Sequence, residues 1–499
     1  MGPYLAVAPL LLLALGGCGL MLAEAYSTYQ KTREEGPSSQ LALPSAVTML
    51  AAAVMAFGLW LKDPATIEGV KSLEPWLVVD KFTVFFTMVT CLGGALATLL
   101  AGGYLPEHNL DRGEFYPLVI FSTLGCVVLA AAGDLLTLFL GLETMSLGVY
   151  ALTGFRRSGR GVEAALKYFL LGSFAAALLL YGGALLYGAT GHTDLVGIGQ
   201  ALTKGGHLPY PALVFAFGLI LVGLAFKVSA VPFHMWAPDA YEGAPTPVMA
   251  YMSVAVKSAA FATMLRVLVT AFGDPKFGSW ATGWPPILAL LAVLTMVIAN
   301  LIAGRQESVK RMLAYSSIAH AGYVLVGVVS VMKVGAEAQA SVLFYLLGYT
   351  VSTIGAVGAL VWMGSRGKEA TSYEDLAGIG RRHPAAAFAM SFFLLSLAGV
   401  PPTAGFFGKL YVFRAAVGAG YYWLAVIGLL ASVIGAYYYL RVMVYMYMRE
   451  PAPGAPEAEP MKSGMVVSAL VISGIVVLLL GLMPGASLEM AIAAAVKGG

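Results

Sequence analysis

Charge is what this sequence has least of. Only 11% of its 499 residues are Asp, Glu, Lys or Arg, against roughly 25% in a soluble domain. That shortage, with 59% hydrophobic residues, excludes an ordinary water-soluble protein. The net charge of +3 leaves no basic footprint for nucleic acid. Cysteine is scarce too: Cys18, Cys91 and Cys126 all lie in apolar runs. They lack metal-ligand spacing, and an odd number closes no disulfide set, so they read as small buried hydrophobes. A phosphate loop, a Rossmann glycine fingerprint, a CxxC pair and an HExxH motif are all missing. No flavin, nicotinamide, iron–sulfur or metal site is therefore expected in this chain. The short alternation of a membrane β-barrel strand is missing as well.

What is present is a succession of apolar runs, each long enough to cross roughly 30 Å of hydrocarbon as a helix. They read as fourteen spans: 5–23, 41–61, 79–101, 115–133, 135–153, 163–189, 210–238, 245–271, 284–303, 309–331, 338–363, 384–418, 421–447 and 464–484. The first is preceded by no Lys or Arg, so it reads as a span and not as a signal peptide. Leu15-Gly16-Gly17-Cys18 is taken as part of it and not as a lipoprotein cleavage box. Segments 210–238 and 384–418 are too long for one straight crossing, and both carry internal prolines.

Lys and Arg are retained on the cytoplasmic side of membrane proteins. One alternate set of loops holds Lys31, Arg33, Arg112, Arg156, Arg157, Arg160, Arg305, Lys310, Arg311, Arg366, Lys368, Arg381, Arg382, Arg449 and Lys462. The other holds Lys62, Lys71, Lys81, Lys204, Lys276, Lys333 and Lys497. Fifteen against seven puts the first set in the cytoplasm and, with an even number of spans, both termini outside it. The loop at 450–463 is assigned no role.

The remaining basic residues, Lys167, Lys227, Lys257, Arg266, Lys409, Arg414 and Arg441, fall within spans. A cation at mid-bilayer costs at least ~2.5–3.5 kcal/mol and faces a partner or a wet cavity. At about 1.5 Å of rise per residue, Glu143, Lys227, Lys257 and Lys409 lie near the membrane centre. Arg266, Arg414 and Arg441 lie close enough to helix ends to snorkel, and Lys167 sits about one turn into its helix. The bland account of the central four is a static ion-pair network. Three lysines against one acid do not fit it, because an unpaired buried charge is strongly destabilising. A desolvated lysine can instead release its proton, and a row of them can pass protons stepwise.

Pro232 has no amide hydrogen and its ring opposes the carbonyl of Val228, so the helix should open directly after Lys227. Pro401 and Pro402, flanked by glycines, break the second long segment about two turns before Lys409. Freed backbone groups in lipid need protein or polar partners. The breaks recur: Val231-Pro232 returns as Val400-Pro401, 169 residues on, and Phe169-Leu170-Leu171-Gly172 as Tyr345-Leu346-Leu347-Gly348, 176 on. This gives an N-terminal three-helix segment (1–110), a five-helix unit (111–272), a second five-helix unit (273–448), and a loop with a C-terminal helix (449–499). Five is odd, so the units are inverted, as in transporters with a midplane site. His320 falls 177 residues after Glu143, near its repeat-equivalent position. It and His234, just past the first break, read either as satisfied core histidines or as neutral relays.

Three stretches carry a resemblance. Trp236-Ala237-Pro238-Asp239-Ala240-Tyr241-Glu242-Gly243-Ala244-Pro245-Thr246-Pro247, the run Leu397 to Lys409, and Gly141-Leu142-Glu143 with Ser146-Leu147 are similar to subunit N of the proton-pumping NADH–quinone oxidoreductase, respiratory complex I. The similarity covers roughly 80–445. It implies an all-α membrane fold of about fourteen helices with two inverted five-helix repeats. It also implies that Glu143 and Lys227 are an acid–lysine pair, Lys257 a central lysine and Lys409 the ionisable residue of the second broken helix. Lys167 and His234 match residues of the family that are less clearly essential. The resemblance implies partnership with other membrane-arm subunits, FMN and iron–sulfur clusters elsewhere in the complex, and a bacterial inner-membrane location. The implied mechanism is electrostatic. Closing the Glu143–Lys227 pair holds the lysine charged, and opening it sends the proton on toward Lys257 and Lys409. A cation/proton antiporter subunit is the rival reading.

Overall fold

A computed structural model describes residues 2–30, 39–204, 210–364, 367–451 and 459–496. Lys31, Arg33, Arg366, Lys497 and residues 452–458 of the 450–463 loop lie outside the described residues. No regular strand occurs among the described residues, and eleven helices are long and apolar enough to cross a membrane. Three shorter apolar helices, Phe115–Ala131, Pro211–Lys227 and Pro384–Ala398, complete fourteen.

The first three helices are α1 (Ala8–Gln30), α2 (Ala42–Lys62) and α3 (Lys81–Glu107). A run of five follows: α4 (Phe115–Ala131), α5 (Leu135–Thr153), α6 (Gly159–Thr190), a broken helix made of α7 (Tyr210–Val228) and α8 (Trp236–Gly243), and α9 (Thr246–Ala271). A second run repeats the order: α10 (Pro285–Ala303), α11 (Val309–Val334), α12 (Ala336–Trp362), a broken helix made of α13 (Pro384–Ala398) and α14 (Ala404–Gly418), and α15 (Tyr422–Met448). The chain ends with α16 (Gly464–Leu482) and a short helix, Pro484–Ala493.

The helix starts follow local chemistry. Asp80, Asp134, Ser158 and Ser308 each accept a first-turn backbone N–H with their side chains, which satisfies donors that a helix leaves orphaned. The helix α9 is wholly buried in its apolar window, while α1 is only 17% buried and lines the outside. Two π-helical turns, Met252–Val256 and Val267–Ala271, interrupt α9 on either side of Lys257. Such turns widen the backbone and recur at functional sites.

Both expected breaks are real and sit where the prolines put them. The helix α7 ends at Val228, and α13 ends at Ala398. The freed groups find side-chain partners: the Val231 amide donates to Thr295 Oγ1 at 2.9 Å, and Trp236 Nε1 donates to the Phe226 carbonyl at 3.0 Å. At the second break Thr403 Oγ1 donates to the Val400 carbonyl at 2.6 Å. Pro232, Pro401 and Pro402 lie on the outer surface, with α16 passing against Pro402 through Gly481.

Candidate proton-transfer site

Lys227, Lys257 and Lys409 are 1%, 2% and 7% exposed, and among the described residues none is ion-paired. Their partners are hydroxyls and carbonyls. Lys227 Nζ donates to Ser146 Oγ at 2.8 Å and Tyr150 OH at 3.2 Å. Lys257 Nζ donates to the carbonyl and the Oγ of Ser317, at 2.7 and 2.5 Å. Lys409 Nζ donates to the Ala398 carbonyl at 2.8 Å and Ser432 Oγ at 2.7 Å. Aromatic faces add to this: Tyr150 lies 5.4 Å from the Lys227 ammonium, Tyr241 5.9 Å from that of Lys257, and Tyr323 5.1 Å from that of Lys409. Ring faces and the negative C-terminal ends of half-helices stabilise a cation without neutralising it.

Glu143 stands one helical turn before Ser146 on α5, half-buried, with Oε1 buried and unpartnered. The expected Glu143–Lys227 ion pair is therefore not closed. The lysine bonds instead to Ser146 and Tyr150 on the same helix as Glu143, while the Glu143 charge still acts on it through space.

His320 is 4% exposed and bridges two tyrosines, with Nδ1 2.7 Å from Tyr345 OH and Nε2 3.2 Å from Tyr439 OH. It lies one turn from Ser317, and its ring meets Tyr323 edge-on at 5.6 Å. Ser317, His320 and Tyr323, at successive turns of α11, thus link Lys257 on α9 with Lys409 on α14. His234 is half-buried in the first break, with Nδ1 unpartnered.

Lys167 is placed elsewhere. It is exposed and ion-paired to Glu163 at 2.6 Å and Asp239 at 3.1 Å. It lines a polar cavity of about 760 Å³ with Asp239, Glu242, Arg311, Arg156 and Glu369, on the face carrying the arginine-rich loops.

Two groups were not legible in the sequence. Lys310, read as a loop cation, is in the first turn of α11 and only 1% exposed. It donates to the Ala244 carbonyl at 2.7 Å and pairs with Glu369 at 3.6 Å. Glu369 also meets Arg156 at 3.0 Å, accepts from Thr246 Oγ1 at 2.6 Å and contacts the Tyr104 hydroxyl. Burial alone raises its carboxyl, but Lys310 and Arg156 outweigh that and bring it to about 2. Arg266 does not snorkel: it is 3% exposed and grips Asp80 at 3.0 and 2.9 Å, bonding also to Thr83 and the Ala130 carbonyl. Burial raises the Asp80 carboxyl, and Arg266 more than reverses this, holding it below the usual range. A carboxylate far away in sequence is the missing signal in both cases. Arg414 is exposed, as snorkelling requires. Arg441 is tied to the Gly304 and Gln306 carbonyls, both at 3.2 Å, with Tyr373 stacked 4.3 Å away.

No cluster of three or more His, Cys, Asp or Glu among the described residues could hold a metal. An all-α membrane chain with two proline-broken helices, each beside a buried lysine without an ion pair among the described residues, is an antiporter-like proton-translocating subunit. A family model described as "NADH:quinone oxidoreductase/Mrp antiporter, TM" matches residues 132–435. The chain is 68% identical over 501 aligned positions to NADH-quinone oxidoreductase subunit N 1 of Sorangium cellulosum, covering 99% of each. It is 44% identical over 514 positions to subunit N of Myxococcus xanthus, covering 97% of this chain and 95% of that one. Among solved structures it is similar to a chain of respiratory complex I from Thermus thermophilus, with a TM-score of 0.78, 36% identity, and 98% and 100% coverage. A chain of the Mrp complex from Dietzia sp. shares the fold, with a TM-score of 0.83 at 23% identity over 98% and 97% of the two chains. The chain belongs to the NADH-quinone oxidoreductase subunit N family. It is a proton-translocating membrane-arm subunit of that multi-subunit respiratory complex.

Proposed function

We propose that protons cross this subunit along Lys227, Lys257, His320 and Lys409, with Glu143 as the switch on Lys227. The observation that carries this reading is the burial of three lysines held only by hydroxyls, carbonyls and ring faces. In that setting neither the ammonium nor the free amine is locked in by a counter-charge, so a modest change in local field decides which is present. Swinging toward Glu143 stabilises the ammonium of Lys227. Turning to Ser146 and Tyr150, as seen here, frees its proton to move. His320, held between two tyrosine hydroxyls, passes protons between the central lysines. The cavity with Lys167 and Asp239 serves proton entry. The arginine-rich loops face the cytoplasm of a bacterial inner membrane, both termini face away from it, and the chain divides into units 111–272 and 273–448 flanked by 1–110 and 449–499. The chain contributes no redox centre, FMN and iron–sulfur clusters residing in partner subunits, and lipid surrounds the α1 side.

The test is Lys257→Met in the assembled complex, in sealed vesicles. NADH oxidation by quinone and proton uptake are followed together, with flavin measured in the same preparation. Protons moved per NADH should fall sharply while the flavin content is unchanged. Unaltered pumping would remove the lysine row from the mechanism. A complex without flavin or NADH oxidation would turn the assignment toward a cation/proton antiporter.

A further inference from the structure

Tyr241 is fully buried on α8, with its ring edge-on to Trp236 at 5.8 Å and 5.9 Å from the Lys257 ammonium. Its hydroxyl closes no hydrogen bond, although it faces the hydroxyls of Ser229, Ser253 and Ser317. Those of Ser229 and Ser253 are themselves buried and unpartnered. Ser229 stands in the first break, two residues past Lys227, held at a φ of 62°, a conformation uncommon for a residue other than glycine. Ser317 is the residue that holds Lys257 through both its carbonyl and its Oγ. Unpaired hydroxyls from the break, α8 and α9 therefore converge beside Lys257, and the first of them stands two residues past Lys227.

A buried hydroxyl left unsatisfied keeps the full cost of its lost hydration. Several at one point are tolerated when water completes them. Apolar side chains of the same shape would pack there at no such cost, so the hydroxyls serve something other than packing. A phenol both donates and accepts: it can take a proton on its oxygen while releasing its own. The position 169 residues on, in the second unit, is Leu410, so this arrangement belongs to the first unit alone.

We propose that the Tyr241 hydroxyl relays protons from Lys227 to Lys257, an inference that rests on the lysine-row reading above. The Lys227 ammonium gives a proton to water beside Ser229. The Tyr241 oxygen accepts from that water and passes its own proton toward Ser317. The free amine of Lys257 takes it up. Lys227 ends as an amine, Lys257 as an ammonium, and Tyr241 is neutral before and after.

Tyr241→Phe, made in the whole complex and reconstituted in sealed vesicles, tests this by deleting one oxygen and keeping the ring. Protons pumped per NADH should drop severalfold, with assembly and flavin content unchanged. Tyr116→Phe, which also deletes a buried unpartnered hydroxyl, in the first turn of α4, should pump normally. Normal pumping by Tyr241→Phe, alongside lost pumping in Lys227→Ala, overturns the relay and leaves the lysine row standing. Normal pumping in both overturns the two together. Equal loss in Tyr241→Phe and Tyr116→Phe assigns the effect to packing and also overturns the relay. Should Tyr241→Phe fail to assemble, Ser229→Ala removes the next oxygen and must show the same severalfold loss.

Discussion

The ammonium of Lys409, on the second half of a broken helix, lies 2.8 Å from the carbonyl oxygen of Ala398, the last residue of the first half. The lysine thus caps the helix end that the prolines opened. The negative end of α13 favours its charge without fixing it. Lys227 has the mirrored placement, in the last turn of α7 before the first break. Each unit thus sets a lysine on one flank of its break, and the two flanks differ.

Gly399 makes the Lys409 cap possible. Its φ of +91° is left-handed, and a Cβ built there would stand 3.0 Å from Lys409 Cδ. Gly399→Ala adds a backbone cost of roughly 1–2 kcal/mol and pushes the lysine off the carbonyl. The expected result is an assembled complex with reduced pumping per NADH, read by a pH-sensitive dye in vesicles. Full pumping would mean that the cap is dispensable.

Lys409 and Arg414 share a helix but not a depth of burial, since one is 7% exposed and the other faces outward. Lys409→Met should block proton transfer far more severely than Arg414→Met. Equal losses in a side-by-side pumping assay would refute the burial argument.

Glu143→Ala and Lys227→Ala should each impair coupled turnover while the complex still assembles, because no ion pair between them holds α5 to α7 in the observed state. Native gel electrophoresis and NADH–quinone assays decide this. Loss of assembly in both variants would instead make the pair structural.

Glu369 ties the loop after α12 to Arg156, Lys310, Thr246 and Tyr104. Glu369→Gln removes the ion-pair partner of buried Lys310 and leaves it only the more weakly acting Glu242, at a cost of up to about 3–5 kcal/mol. The expected reading is a clear drop in the thermal midpoint of the purified complex. The pH dependence follows from its sign. The folded carboxyl sits at about 2, below its ordinary 4.5, so the stabilisation is complete above about 4.5 and fades as pH falls toward 2. The wild-type midpoint should therefore lose this contribution over that acid window, and the Gln variant should not.

Much of this protein could be read along the chain. The spans follow from apolar runs matched to bilayer thickness, and the breaks from Pro232, Pro401 and Pro402, whose rings cannot continue a helix whatever surrounds them. The central lysines stood out because a cation in an apolar run is costly wherever it points. These are local properties, set by a residue and its near neighbours.

Partnership was decided only in three dimensions. Lys310 looks like a loop cation and Arg266 like a helix-end one until Glu369 and Asp80, 59 and 186 residues away, are brought beside them. That Lys227 bonds to Ser146 and Tyr150, beside Glu143 on the same helix, is likewise visible only in the packed structure. His320 and Tyr241 acquire their roles from hydroxyls on other helices. The period of a helix tells which residues share a face, but not which face of another helix meets it. In a bundle where nearly every face is apolar, only the packed structure selects the pairs.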